Sequence, residues 1–308
     1  MNATEPAVLV GTTLTPASDR VVRAAAAVAR ALGGTVHLVH AVPYPVEFFD
    51  DTILSDHVLE DLREREREAL LRDVAAQAER NGIGGDLLHG VTVEPGEPHR
   101  TLVDVARSLR PDLLVVGAAE DPDHITRAFG STAGRVLRKA TRPVLVVRGD
   151  LRLPPGRVLL PVDLSPLSAD VARSAADLLR RLGLASTARS EALFVLTERQ
   201  SLILAAAEDA GAPEEMTRRR LETFTERFLG ELAGTVDCAL RIGDPADEIV
   251  ERARETACDL VVLGTHGRSG FERLLIGSVA AEVVRNAPAS VLVVPPEAAL
   301  RGALASGD

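Results

Sequence analysis

Residues 8–33, VLVGTTLTPASDRVVRAAAAVARALG, return as residues 158–183, VLLPVDLSPLSADVARSAADLLRRLG, aligned without a gap and identical at 12 of 26 positions. In both copies a short apolar run gives way to a polar loop with a proline, then to a stretch with apolar residues at helical spacing. That order reads as strand, loop, helix. Near the end of each half, 112–147 aligns on 259–294 with 14 identities in 36 positions, again without a gap. Between them, GEPHRTLVDVAR at 96–107 matches GDPADEIVERAR at 243–254. The chain is therefore two copies of one unit, and differences between the copies separate what the fold requires from what one copy alone keeps.

Each half carries five short runs rich in Val and Leu, near 7–11, 36–42, 87–93, 113–116 and 144–147 in the first. They are continuous rather than alternating, as strands covered on both faces should be, and helical stretches separate them. Strand and helix in alternation predict an α/β fold: two tandem doubly wound domains, each with a five-stranded parallel sheet and right-handed crossovers. Pro and Gly break both patterns at 148–156, RGDLRLPPG, which sets expected domains of 1–150 and 151–308. The charged segment 59–80 carries both signs at helical spacing and predicts a solvated, ion-paired helix face.

The composition excludes several function classes. At 308 residues, 46% apolar and 26% charged, the chain is long enough for two substantial cores. A formal net charge of −10 argues against nucleic acid, and 3% aromatics with no Trp argue against base-stacking platforms. No window resembles a membrane span and MNATEPAVLV lacks the basic flank of a signal peptide, so a cytosolic protein is expected. Cys238 and Cys258 are too few for a disulfide framework or zinc cluster and read as buried free thiols. The histidines outside the glycine loop show no metal-ligand spacing.

In an open parallel sheet, ligands bind beyond the carboxyl ends of the strands. After 260–263 comes GTHGRSGFERLLIGSVAAEVV: Gly264, Gly267 three residues on, then Gly277 and Ser278 opening a helix. Such glycines let backbone approach a phosphate chain, and the helix N-terminus offers free amides at the positive end of its dipole. The Ser278 hydroxyl could donate to a phosphate or simply cap its helix. The second loop, LLPVDLSP at 159–166, puts Asp163 just past the first strand, where a carboxylate can meet the adenine amino group or a ribose hydroxyl, or else form an Asx-turn.

With VLVV closing the sheet, this glycine spacing closely resembles the ATP-binding universal stress proteins, and the resemblance runs through both halves of the chain. It implies an adenine-nucleotide alpha-hydrolase-like, Rossmann-like fold. It further implies that Val162 and Asp163 frame base and ribose, that the backbone near Thr197 meets the adenine, and that Gly264, Gly267, Gly277, Ser278 and Val279 hold the phosphates. Pro161 and Thr265 complete the two loops, and His266, Arg268 and Arg273 stand where they could touch or offset phosphate charge. In the family such domains pair through their last strands, here 144–147 and 291–294, giving an internal pseudo-dimer, with a homodimer open as a further state.

The first half departs from that pattern. Thr13 stands where Asp163 does, Gly11 where Pro161 does, and Glu120 replaces the second glycine with Asp121 and Asp123 beyond it. Those carboxylates would repel a phosphate chain, so the first repeat is expected not to hold ATP. The surviving Gly117, Gly130 and Ser131 read as turn and cap chemistry. Tyr44, Phe48 and Phe49 could line an apolar pocket, though packing beneath a long loop is the simpler role.

The expected function is ATP binding by the second repeat in stress response or signalling, with the presence of Mg²⁺ open. No GxxxxGK[ST] lysine and no evident general base support turnover. The alternatives are a slow ATPase or autokinase acting on a loop hydroxyl, and a scaffold that takes an apolar ligand or protein through the aromatic segment. A dinucleotide oxidoreductase is disfavoured by the lack of a GxGxxG with a suitably placed acidic residue.

Overall fold

The computed structural model describes residues 7–42, 56–118, 132–183, 189–206, 213–230, 232, 236–265 and 276–296. The chain divides into two compact units, Met1–Gly117 and Ala118–Asp308.

In the first unit the strands are β1 (Val8–Gly11), β2 (Val36–Val42), β3 (Leu88–Pro95) and β4 (Leu113–Gly117), with helices α1 (Pro16–Leu32), α2 (Asp56–Arg80) and α3 (Pro98–Leu109) between them. All pairings are parallel, in the order β3-β2-β1-β4. The Val and Leu runs of β1, β2 and β4 are buried as expected, Val8, Leu9 and Val10 completely, whereas the run at 87–93 forms the edge strand β3 and buries only Val93, because an edge strand is covered on one side alone. The ion-paired face of 59–80 is the outer side of α2, with Arg67–Glu64 at 3.2 Å and Arg72–Glu68 at 3.9 Å, while Val74, Gln77 and Ala78 turn inward.

The second unit holds α4 (Thr132–Leu137), β5 (Val144–Val147), β6 (Arg157–Val162), α5 (Pro166–Arg181), β7 (Arg189–Leu196), α6 (Glu198–Ala205), α7 (Pro213–Leu229), β8 (Val236–Ile242), α8 (Pro245–Glu255), β9 (Leu260–Gly264), α9 (Ser278–Asn286) and β10 (Ser290–Val294). Five strands are parallel in the order β10-β9-β6-β7-β8, the same winding as the first repeat. The last strand of the first repeat, β5, belongs to this unit and pairs antiparallel with β10, Leu145 opposite Leu292. Arg148 fastens that seam. Its amide donates to Ser290 Oγ (3.1 Å), and its guanidinium donates to the Val284 and Arg285 carbonyls (3.3 and 2.9 Å) at the end of α9, where a cation is favoured.

The duplication extends to unusual backbone. Leu14 and Leu164, at equivalent positions after the first strand of each repeat, both take left-handed φ values of 60° and 59°. Arg110 and Ala257 do the same at 48° and 46°. A non-glycine residue in this region costs roughly 1 kcal/mol, so its recurrence at matching sites marks loop geometry set by the fold.

On the edge strand β8, Cys238 is only partly buried, which corrects the expectation of two buried thiols, because outward positions of an edge strand remain open. Cys258 is buried, and burial followed by the nearby Asp259 and Glu191 carboxylates pushes its thiol up to about 12.

His37 on β2 is buried, its Nε2 2.7 Å from Thr92 Oγ1 and its ring 5.6 Å from that of His89. Burial, then repulsion from His89, lowers its pKa to about 4 against the usual 6.5. As pH falls through 6.5 the unfolded chain takes up this proton before the folded one does. Stability should therefore decline between pH 6.5 and about 4, by up to roughly 3 kcal/mol. Urea denaturation across that range should show His37→Gln removing most of this slope. An unchanged slope would assign it to other groups.

Candidate functional site

The second repeat opens a cavity where its winding reverses, between the carboxyl ends of β6 and β9. It encloses about 370 Å³, within the range of small-molecule sites. Pro161, Val162, Asp163, Thr197, Gly264, Thr265, Gly277, Ser278 and Val279 all line it. Nine site residues read from sequence are thus brought to one cavity. His266, Gly267, Arg268 and Arg273 lie outside the described residues, as do Tyr44, Phe48, Phe49, Glu120, Asp121, Asp123, Gly130 and Ser131.

The loop after β6 is held by its own side chains. Asp163 Oδ1 accepts from the Ser165 amide at 2.9 Å, an Asx-turn, and the Asp163 amide donates to Ser168 Oγ at 3.2 Å. Ser165 then caps α5 by accepting from the Ser168 amide at 3.1 Å, with Pro166 at the first helical position. The turn and the cavity are compatible roles for Asp163: one oxygen shapes the loop while the residue still faces the cavity.

The second loop leaves and re-enters at a single point. The Gly277 amide donates to the Thr265 carbonyl at 2.7 Å, so the two ends of 265–277 are tied together, and the Thr265 amide donates to Val294 on β10 at 3.2 Å. Gly277, not Ser278, occupies the N-cap, and no side chain caps α9. Ser278 stands at the first helical position, so the capping role considered for it is not the one adopted. The first helical hydrogen bond is Ala281 N–H to the Gly277 carbonyl (2.9 Å), which leaves the amides of Ser278, Val279 and Ala280 ahead of it at the cavity wall. Such amides, aligned with the helix dipole, form an anion-binding surface.

The opposite wall is apolar. Val171, Ala172 and Ala175 of α5 face Leu193 and Phe194 of β7, and Ile249 of α8 closes one side. A ligand suited to this cavity is therefore flat and apolar at one end and anionic at the other. Thr197 caps α6 in a full capping box: its Oγ1 accepts from the Gln200 amide (3.3 Å) and Gln200 Oε1 accepts from the Thr197 amide (2.9 Å). That commits the Thr197 side chain to the helix, with its backbone left at the cavity edge. Sequence reading missed Gln200, Ser168, Phe194 and Ile249. Only Gln200 had a local signal, the T-x-x-Q box at 197–200.

At the same place in the first repeat, polar side chains meet one another. Thr12 Oγ1 donates to Oε1 of the fully buried Gln77 (2.5 Å), and Gln77 Nε2 donates to Ser18 Oγ (3.0 Å) and Asp19 Oδ1 (2.7 Å). Asp19 also accepts from Arg80 and Asn81, and these bonds hold its carboxyl below the usual range against the opposing effect of burial. Gly117, read as turn chemistry, is explained by packing: a Cβ there would meet Val21 Cγ2 at 3.1 Å.

The family model described as "Universal stress protein family" matches this chain twice, over residues 6–148 and 155–295. A universal stress protein of Mycolicibacterium smegmatis is 30% identical over 305 residues, covering 96% of this chain and 99% of its own length. One from Mycobacterium tuberculosis is 28% identical over 235 residues, 71% of this chain and 69% of that protein. Among solved structures, a universal stress protein from Archaeoglobus fulgidus superposes with a TM-score of 0.64 at 18% identity, covering 96% of this chain and 98% of that one, which speaks to the fold.

The capping box yields its own prediction. Thr197→Ala should lower stability by about 1 kcal/mol in urea denaturation, whereas Thr197→Ser should stay close to wild type. Equal losses in both variants would mean that packing of the threonine methyl, and not the cap, is what counts.

Proposed function

We propose that this chain, which belongs to the universal stress protein family, binds ATP in the cavity of its second repeat and acts in stress response or signalling without turnover. The observation that carries this reading is the convergence of nine sequence-expected residues on one cavity that is apolar at one end and lined by helix N-terminal amides at the other. Adenine would lie against Val171, Ala175 and Phe194, within reach of Asp163 and the backbone at Thr197. The phosphates would run toward Gly264 and the amides of Ser278 and Val279.

Among the described residues no group of three or more His, Cys, Asp or Glu is placed to hold a metal, so Mg²⁺ would arrive on the phosphates, its common mode with nucleotides. Residues 151–308 are then the nucleotide-binding domain and 1–150 a degenerate one. Two features support that division: Thr13 stands in place of Asp163, and the Thr12–Gln77–Ser18 network sits where the cavity would open. No helix among the described residues is long and apolar enough to cross a membrane.

Calorimetric titration of ATP with Mg²⁺ should give one saturable site in wild type. Ala175→Phe, which fills the apolar end, and Gly277→Leu, which crowds the amides, should each weaken it at least about tenfold, a difference of roughly 1.4 kcal/mol. The nucleotide recovered after incubation should be ATP. An absence of binding in wild type would overturn the reading, and steady accumulation of ADP would replace it with an ATPase.

A further inference from the structure

We propose that the arginine-lined groove along α7 is a second ligand site, one that takes an organic anion with a flat apolar or aromatic body. The groove has a volume of about 680 Å³, lies largely open to solvent, and is formed by one side of α7 and Leu164. That volume lies within the range of small-molecule sites. The proposal is independent of what occupies the neighbouring cavity.

The inner part of the groove is aromatic. Phe224 is buried, Phe228 is half-buried, and their rings pack tilted at 58° with centroids 4.9 Å apart. Leu164 and Met216, the latter 38% exposed, extend this apolar surface. The outer part is cationic: among the described lining residues Arg219, Arg220 and Arg227 stand against one carboxylate, Glu215, in a chain whose formal net charge is −10.

Partners divide these arginines into two kinds. Arg219 is paired with Glu215 at 2.6 Å, and Arg173, on neighbouring α5, is paired with Asp170. Arg220 and Arg227 have no carboxylate partner among the described residues. Arg227 and Arg173 each place Cζ 5.2 Å from the Phe228 ring centroid. A guanidinium stacked on a ring gives up hydration on that face yet keeps its planar N–H edge for a bidentate acceptor such as a carboxylate, phosphate or sulfonate. Unpaired guanidinium edges beside partly exposed aromatic and thioether surface are complementary to one chemistry: a ring or apolar body with an acidic group attached.

Anilinonaphthalene sulfonate carries both features and serves as the probe. In the full-length chain bearing Ala175→Phe, which blocks the other apolar cavity, it should bind at one saturable site with enhanced fluorescence. Binding should weaken with added salt and fall about tenfold in Arg220→Ala/Arg227→Ala, as expected for losing charge-assisted hydrogen bonds. Both arginines are exposed, so the fold should survive, and an unchanged circular dichroism melt would verify this. Phe228→Ala should weaken binding as well. The proposal is overturned if Ala175→Phe alone abolishes the signal. It is also overturned if the double arginine variant binds as wild type, or if the uncharged analogue phenylnaphthylamine binds equally well and independently of the arginines.

Discussion

The second unit's candidate site depends on where β6 and β9 part. Their ladder runs through two residue pairs, Val158 with Leu260 and Leu159 with Val261, whereas β6 stays paired with β7 through six. Beyond Leu159 the two strands no longer match, and Leu160 and Val262 become walls of the cavity. In the first repeat the corresponding strands, β1 and β4, pair through a third position, Val10 with Val115. The residue that follows differs in a way that bears directly on this. Gly11 retains a backbone donor and has no side chain, and Leu102 of α3 packs so close that a Cβ would meet it at 2.9 Å. Its counterpart Pro161 supplies no N–H to prolong a ladder, and it lines the cavity together with Ile249, the equivalent of Leu102. One substitution pair thus accompanies a ladder of three residue pairs at the sheet reversal of one repeat and of two in the other.

An opening between strands becomes a binding site only if its rim holds still. Both rims in the second unit are fixed locally, one by the Asx-turn of Asp163 and the Ser165 cap, the other by the bond from Gly277 to Thr265 that gathers the long loop at its base. The left-handed Leu164 lies between Asp163, at the cavity, and Ser165, at the helix cap, and its side chain faces the α7 groove. This short loop therefore borders two concavities. Because the first repeat keeps the same backbone at Leu14, that geometry belongs to the fold, and the side chains around it are what differ between the repeats.

Much of this was legible in the sequence because a duplication supplies its own control. Continuous apolar runs placed the strands nearly to the residue, since strands covered on both faces leave few alternatives. Gly264, Gly277 and Asp163 located the rim, because loops after parallel strands must lie at the carboxyl edge of the sheet. The apolar wall was not legible. Val171, Ala175, Phe194 and Ile249 look like ordinary core residues, and facing a cavity instead of a neighbour leaves no trace in hydrophobic periodicity. Nor could spacing show that Gln77 on α2 would reach Thr12 across the first repeat, a contact spanning 65 positions. The α7 groove stayed hidden for a related reason: the spacing of Arg219, Arg220 and Arg227 does not show that Phe224 and Phe228 pack beneath them.

The divergence of the repeats has a stability argument as well. A buried Gln is tolerated only when its donors and acceptor are matched, and Gln77 achieves this through Thr12, Ser18 and Asp19. Such a network makes the first repeat's crevice part of its core, where an apolar replacement at any one member would strand the others. The second repeat has Val162 in place of Thr12 and Asp163 in place of Thr13, and its cavity keeps an apolar wall. On these grounds the first repeat fills its crevice with side chains that satisfy one another, whereas the second keeps an apolar wall along its cavity.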